Sequence, residues 1–212
     1  MVSTLHYFYD PLCGWCYGAA PLVQAAAEQV RMQAHGGGLM AGAARKAVTA
    51  ELRAFVVGHD QKIARLSGQP FGPGYTDGLL KDHGAVLDSS PPITAILATE
   101  AVGGSGLQML ERLQQAHYVQ GRRIADEAVL RSVAAELGLD AAAFGQAFDR
   151  LRGPATEAHI QHSRALMAQL GARGFPSFAL EREGQFTLLD AAPYLGQPAR
   201  WSAWLSGMIK GA

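Results

Sequence analysis

The two cysteines of this 212-residue chain lie three positions apart, as Cys13 and Cys16 of a C-G-W-C motif. Such a pair exchanges disulfides when one thiolate attacks a sulfur and the second thiol resolves the mixed disulfide. A zinc site and two inert core cysteines are the other interpretations. Zinc requires about four ligands, and the sequence has no other cysteine and only a distant pair of histidines, His159 and His162. The cysteine pattern therefore favours redox chemistry.

The segments around the motif predict a βαβ unit. Residues 5–9 are apolar and aromatic, which indicates a buried strand ending at Asp10. Residues 17–30 predict a helix, and residues 30–34 alternate like a strand that three glycines at 36–38 interrupt. A strand, a helix and a strand in this order indicate parallel strands joined by a right-handed crossover.

This unit places the two cysteines at a strand-to-helix junction. Cys13 is expected at the N-terminus of the helix, where unpaired backbone N–H groups and the helix dipole stabilise a thiolate. Cys16 is expected one turn later on the same face and more shielded, as suits a resolving thiol.

The middle of the chain has a different character. Residues 43–152 are rich in Ala, Leu, Gln and Arg with helical periodicity, which predicts a helical insertion. Within it, Ser89 followed by Ser-Pro-Pro predicts a helix start with a serine cap.

The C-terminal segment returns to α/β character. Residues 154–170 predict a helix, and residues 174–180 and 185–189 predict an antiparallel hairpin. The last residues predict a helix that buries one face, formed by Trp201, Trp204, Leu205 and Met208. The predicted fold is α/β, with a mixed central sheet between helices. Residues 1–42 and 153–212 would form this domain, and residues 43–152 an all-helical insertion.

Composition excludes several functions. Eighteen basic residues balance eighteen acidic ones, so charge gives no reason to expect nucleic acid or an anionic membrane as partner. No apolar run approaches the roughly twenty residues of a membrane helix. The N-terminal residues lack the pattern of a secretory signal, so a cytoplasmic location is expected.

Several segments resemble one family. The segment Tyr9-Asp10-Pro11-Leu12-Cys13-Gly14-Trp15-Cys16-Tyr17 resembles the active-site region of the DsbA-like branch of the thioredoxin superfamily. Within it, the chain is most similar to proteins predicted to be cytoplasmic protein disulfide isomerases and to their FrnE-like relatives. Pro21 matches the helix-kinking proline of thioredoxins, residues 115–139 resemble part of the helical domain, and Gly174-Phe175-Pro176 resembles the loop that opposes the cysteines.

The resemblance implies a thioredoxin-like fold and a thiol–disulfide oxidoreductase or isomerase. It implies that Pro176 is cis and faces the cysteines, and that Trp15, Phe175 and Pro176 contact the substrate. An ordinary strand-start proline and simple packing of Trp15 are the alternatives. No metal or organic cofactor is expected, with glutathione as an optional redox partner. The expected substrates are proteins or small molecules that carry thiols or disulfides.

The chain departs from the family at two positions. Gly14-Trp15 replaces the Pro-His dipeptide of strongly oxidising DsbA, so one group that stabilises the thiolate is missing and a less oxidising protein is expected. Phe175 is larger than the usual aliphatic residue and is expected to narrow the approach to Cys13.

Two further residues are candidates near the sulfurs. Asp10 is a candidate for proton transfer with Cys16, although an Asp before Pro is more often a turn residue. Tyr118 is expected by resemblance to face the sulfurs from the insertion.

Two other functions stay open. Kappa-class glutathione transferases and hydroxychromene-carboxylate isomerases share the insertion architecture, but they generally lack a C-x-x-C pair. The third possibility is a redox-independent chaperone or adaptor that binds clients on the helical insertion.

Overall fold

The computed structural model describes residues 3–210 and contains a four-stranded mixed sheet. The described residues form six strands, of which four make the central sheet and two, β3 and β4, make a separate short ladder. They are β1 (Ser3–Tyr9), β2 (Arg31–Gly36), β3 (Lys46–Ala47), β4 (Val86–Leu87), β5 (Ser177–Arg182) and β6 (Gln185–Leu189). The central sheet has the order β2-β1-β5-β6, with β1 parallel to β2 and antiparallel to β5, and β6 antiparallel to β5. The predicted βαβ unit and hairpin are both confirmed. Strand β2 runs on into the first of the three glycines.

Nine α-helices complete the described part of the chain. They are α1 (Gly14–Gly18), α2 (Ala20–Ala27), α3 (Ala50–Ser67), α4 (Ser90–Ala101), α5 (Gly106–Tyr118), α6 (Glu127–Glu136), α7 (Ala141–Leu151), α8 (Pro154–Leu170) and α9 (Pro198–Lys210). None of these helices within residues 3–210 is long and apolar enough to cross a membrane.

Residues 17–30 do not form one continuous helix, because the structure has two helices that meet at Ala19. This break agrees with the helix-kinking proline that the resemblance implied at Pro21. Pro21 lies in the first turn of α2, and it has no N–H for the carbonyl of Tyr17, four residues earlier. The side-chain amide of Gln69 donates to that carbonyl instead, at 3.2 Å. The bend is therefore stabilised by a contact from the insertion.

The sheet has a buried layer on each face, as predicted. On one face Phe178 packs between Tyr7 (5.0 Å between ring centroids) and Trp201 of α9 (5.4 Å). On the other face Phe8 and Ala179 pack with Met167 of α8. The alternation of side chains along β1 and β5 thus sends neighbouring residues to opposite layers.

The segment between β2 and α8 contains helices α3 to α7, but it is not entirely helical. Strands β3 and β4 pair within it as a short antiparallel ladder, Lys46 opposite Leu87, which corrects the all-helical prediction. The helix start predicted here is confirmed, with Ser89 as the N-cap residue of α4, but the backbone of Ser89 is already helical (φ −77°, ψ −18°) and its side chain makes no cap hydrogen bond. The domain boundaries at 42/43 and 152/153 stay a prediction.

Candidate active site

Cys13 and Cys16 lie at the junction of β1 and α1, as predicted. Cys13 is the N-cap of α1, with an extended backbone (φ −92°, ψ 112°), and Cys16 lies in the helix. Both are free thiols. Cys16 is fully buried, and Cys13 is only 6% exposed, so the expected difference in shielding is small. Burial raises the pKa of the Cys16 thiol well above its usual range, and neighbouring Cys13 adds to this effect.

The loop before β5 lies against Cys13. The Phe175–Pro176 peptide bond is cis, as the resemblance implied. The Cys13 thiol donates a hydrogen bond to the carbonyl oxygen of Phe175 across 3.4 Å. The structure therefore brings Cys13, Phe175 and Pro176 together from segments more than 150 residues apart.

The ring of Phe175 rests on Gly37. A Cβ on Gly37 would lie 2.0 Å from the ring atom Cζ, so only glycine leaves room for the ring there. Arg164 of α8 donates from its guanidinium to the carbonyls of Gly37 (2.7 Å) and Gly38 (2.6 Å). The glycine run after β2 thus forms the floor beneath Phe175, a role that its sequence alone does not reveal.

An open groove of about 560 Å³ begins beside the motif. Its walls are mostly apolar, and they include Trp15, Phe175, Pro176, Leu188, Leu189 and Leu195. Two charged side chains, Arg173 and Asp190, also line it. The ammonium of Lys62 lies over the half-buried indole of Trp15, 5.8 Å from the ring centroid, in a cation–π contact. The three predicted substrate-contact residues therefore border one groove.

Asp10 is fully buried beneath the motif. Its carboxylate accepts hydrogen bonds from the backbone of Leu12 (2.9 Å), the backbone of Leu39 (2.5 Å) and the hydroxyl of Ser89 (2.9 Å). Burial raises the pKa of Asp10 to about 6, against the lowering effect of these bonds. The bond to Leu12 is the turn role considered for this residue, whereas proton transfer with Cys16 stays a prediction.

The insertion forms the other side of the site. Tyr17 of α1 stacks on Tyr118 of α5, with ring centroids 4.8 Å apart. Burial raises the pKa of Tyr118, and Tyr75, Cys13 and Cys16 are among the groups that raise it further. Tyr118 thus lies within electrostatic reach of both sulfurs, whereas its facing them stays a prediction.

Two glycines let α3 approach the motif closely. A Cβ on Gly14 would lie 3.0 Å from Ile63 and 3.1 Å from the carboxylate of Asp60, and a Cβ on Gly18 would lie 2.7 Å from Ile63. The glycines are four residues apart and share one helix face. This spacing is the only sequence signal that points to a close helix contact here, and it does not identify Asp60.

Histidines are not placed to join the cysteines. The Nε2 atom of His159 accepts a hydrogen bond from the backbone N–H of Gly36 at 3.0 Å, on the strand β2 side of the sheet. Within residues 3–210, no group of three or more His, Cys, Asp or Glu side chains is arranged to hold a metal ion.

Comparison with protein families places the fold in a known group. A family model described as the DSBA-like thioredoxin domain matches residues 4–194. The chain belongs to this family. It is accordingly a DsbA-like thiol–disulfide oxidoreductase with a thioredoxin-like fold, as predicted.

One solved structure is of a protein that is identical to this chain at about half of its positions. The cytosolic disulfide reductase DsbM from Pseudomonas aeruginosa is 53% identical, with a TM-score of 0.92 over 99% of this chain and 100% of that one. A second structure of DsbM, with GSH, is 51% identical and has a TM-score of 0.90 over 98% of this chain and 99% of that one.

More distant structures share the fold alone. A candidate protein disulfide isomerase from Nitrosomonas europaea is 21% identical, with a TM-score of 0.80 over all of both chains. A 2-hydroxychromene-2-carboxylate isomerase is 12% identical, with a TM-score of 0.57 over 98% of both chains. A search of curated proteins finds no match.

Proposed function

We propose that this protein is a disulfide reductase that exchanges with glutathione, with Cys13 as the attacking thiol and Cys16 as the resolving thiol. One observation carries the proposal: the Cys13 thiol meets the carbonyl of Phe175, beside the cis proline at the edge of the groove. A disulfide that enters the groove would reach Cys13 before it could reach the fully buried Cys16.

The exchange balances as two displacements. The Cys13 thiolate attacks one sulfur of glutathione disulfide, the S–S bond breaks, and the first glutathione leaves as a thiolate that takes a proton from solvent. Cys16 then loses its proton and attacks the Cys13 sulfur, which releases the second glutathione. The products are a Cys13–Cys16 disulfide and two glutathione thiols, so two electrons move from protein to substrate. Each further turnover consumes one equivalent of an added dithiol reductant, which reduces the Cys13–Cys16 disulfide and is itself oxidised to a disulfide.

Two comparisons support the direction and the partner. DsbM, which shares about half of this sequence, is described as a cytosolic disulfide reductase and has a structure with GSH. The Gly14-Trp15 dipeptide lacks the histidine that helps DsbA to stabilise its thiolate, which favours a donor of electrons over an oxidant. A cytoplasmic location would fit this role, because thiols are kept reduced there.

Cysteine variants test the proposal directly. Cys16→Ser, incubated with glutathione disulfide, should trap one glutathionyl group on Cys13, which intact mass measurement detects. Cys13→Ser should form no adduct and lose reduction of glutathione disulfide and insulin. Wild-type protein that is inactive with both substrates, or Cys13→Ser with full activity, would refute the proposal.

The groove also provides a test of glutathione as the partner. Glutathione carries two carboxylates at neutral pH, and we propose that the exposed Arg173 in the groove binds one of them. Arg173→Gln should raise the KM for glutathione disulfide roughly threefold to tenfold. The KM for the neutral disulfide of 2-mercaptoethanol should not change.

Arg200→Gln is the matched control, since Arg200 is an exposed arginine on α9 that does not line the groove. An equal change in KM for both disulfides, or an equal effect in the control, would show that Arg173 does not select glutathione.

The same assays address the other functions. Refolding of a scrambled disulfide protein distinguishes an isomerase from a reductase. Tight glutathione binding that survives replacement of both cysteines would instead indicate a kappa-type transferase or isomerase. Binding of an unfolded client in both redox states would indicate a chaperone or adaptor.

A further inference from the structure

A buried carboxylate of the insertion lies against the first residue of the active-site helix. Asp60 is 6% exposed, on a helix whose other side chains are mostly exposed or half-buried. One of its oxygens would lie 3.1 Å from a Cβ added to Gly14, which follows Cys13 directly. The helix N-terminus favours a negative charge on the Cys13 thiolate. A second negative charge beside it, on Asp60, opposes that thiolate.

A second side chain fixes this carboxylate. The hydroxyl of Tyr75 donates to the other oxygen of Asp60 at 3.0 Å, and Tyr75 is itself 3% exposed. Tyr75 packs on Tyr118, with ring centroids 5.2 Å apart. Cys13 and Asp60 are both close enough to Tyr118 to raise its pKa, so Tyr118 is a shared neighbour of the two.

The carboxylate is ionised in most molecules at neutral pH. Burial raises the pKa of Asp60 to about 6, while the Tyr75 hydrogen bond and the His59 charge lower it. At pH 7 a group with this pKa is mostly charged. Its charge is poorly screened because it is buried.

We propose that Asp60, held by Tyr75, is a positioning residue of the redox pair: its charge opposes the Cys13 thiolate and thereby favours the disulfide over the dithiol. Only the reduced pair contains a thiolate, so destabilising the thiolate makes the reduced protein a stronger electron donor. The inference rests on the proposed reductase function and explains how the insertion supports it.

The test removes the charge of Asp60 and measures two quantities, the amount of Cys13 thiolate and the equilibrium of the cysteine pair with glutathione. In a Cys16→Ser background, Asp60→Asn should increase the ultraviolet absorbance of the Cys13 thiolate at neutral pH. In the otherwise wild-type protein, Asp60→Asn should shift the equilibrium with glutathione toward the dithiol by roughly threefold to tenfold. A purely structural role would lower stability and leave both quantities unchanged.

Glu51→Gln is the matched control, because it removes the same charge from an exposed position in the first turn of the same helix. Tyr75→Phe is the second variant: it removes the donor that favours the ionised carboxylate, and a smaller shift in the same direction is expected. An unchanged equilibrium in folded Asp60→Asn overturns the proposal, as does an equal shift in Glu51→Gln. If Asp60→Asn does not fold, an unchanged equilibrium in folded Tyr75→Phe overturns it.

The failure of this inference is distinguishable from failure of the function. A wild-type protein that does not equilibrate with glutathione contradicts the reductase proposal. A wild-type protein that does, with an Asp60→Asn variant of the same equilibrium constant, contradicts only the role of Asp60.

Discussion

The two sides of the cysteine pair differ in access and in charge. On the side of the cis proline, a groove of about 560 Å³ is open to solvent, and its charged residues Arg173 and Asp190 are exposed. On the side of the insertion, Asp60 and the rings of Tyr75 and Tyr118 are buried. We call these two sides the groove wall and the insertion wall.

This difference suggests separate tasks for the two walls. Exposed charges are screened by water, so the groove wall is suited to recognise a substrate without strongly changing the thiols. A buried charge acts at higher strength, so the insertion wall is suited to set the stability of the thiolate. Substitutions on the groove wall should therefore change catalysis, and those on the insertion wall should change redox equilibrium or stability.

The largest effect on exchange is expected at Gly37. Gly37→Ala would place a methyl group 2.0 Å from the ring of Phe175, so the ring and the cis-proline loop must move. We expect kcat/KM for glutathione disulfide to fall on the order of tenfold or more, since a small misplacement of reacting groups is costly. In a Phe175→Ala background the same change should have little effect, and Gly207→Ala, which faces open space, is the control. Equal losses in both backgrounds would contradict this contact.

A smaller effect on disulfide exchange is expected at Gly18, where α1 packs against the insertion wall. Gly18→Ala would place a Cβ 2.7 Å from Ile63, and overpacking of this kind costs about 1–3 kcal/mol of unfolding free energy. Urea unfolding should show this loss, while kcat/KM changes only a few-fold. Gly58→Ala on α3 meets no atom within 4 Å and serves as control. A large catalytic loss without a loss of stability would reverse the division between the walls.

A still smaller effect on exchange is expected at Ser89, below the motif. Ser89→Ala removes one donor from the buried carboxylate of Asp10, which should lower stability by about 1–3 kcal/mol and raise the pKa of Asp10 further. Exchange should change by about twofold or less, and Ser132→Ala, at an exposed serine, is the control. Unchanged urea unfolding of Ser89→Ala would show that this hydrogen bond contributes nothing to stability.

No effect on exchange is expected at His35, which packs on Phe8 on the other face of the sheet. Burial and the charge of His6 lower the pKa of His35 from 6.5 to about 4. The unfolded chain therefore binds a proton first as pH falls below about 6.5, and stability is lost between there and about pH 4.

Urea unfolding at pH 7 and pH 5 checks this sign. Between pH 7 and pH 5, the unfolding free energy of His35→Gln should fall by about 1–2 kcal/mol less than that of the wild type. The raised pKa values of Asp10 and Asp60 act in the opposite direction in both proteins and cancel in the difference. Equal pH dependence in the two proteins would contradict the assignment to His35.

Much of the fold was predictable because its signals are local. The apolar run before the motif, the glycine and proline breaks and the spacing of Trp201 and Leu205 each indicate one element. The errors occur where a distant segment decides the outcome. At the bend, the carbonyl of Tyr17 that Pro21 leaves free accepts from the distant Gln69. The hydroxyl oxygen of Ser89 accepts from the backbone of Met40 instead of capping its own helix, and the hydroxyl donates to Asp10. Propensity reports only local preference, and long-range contacts can override it.

The sequence by itself identified the candidate reactive pair, because a C-x-x-C between a strand and a helix restricts the chemistry whatever surrounds it. Only the tertiary structure decided which groups act on that pair. Cys13 meets Phe175 and Asp60 reaches Gly14 across separations of 162 and 46 positions along the chain. Such contacts depend on how layers pack, and no local pattern of residue types encodes the distance between two packed surfaces.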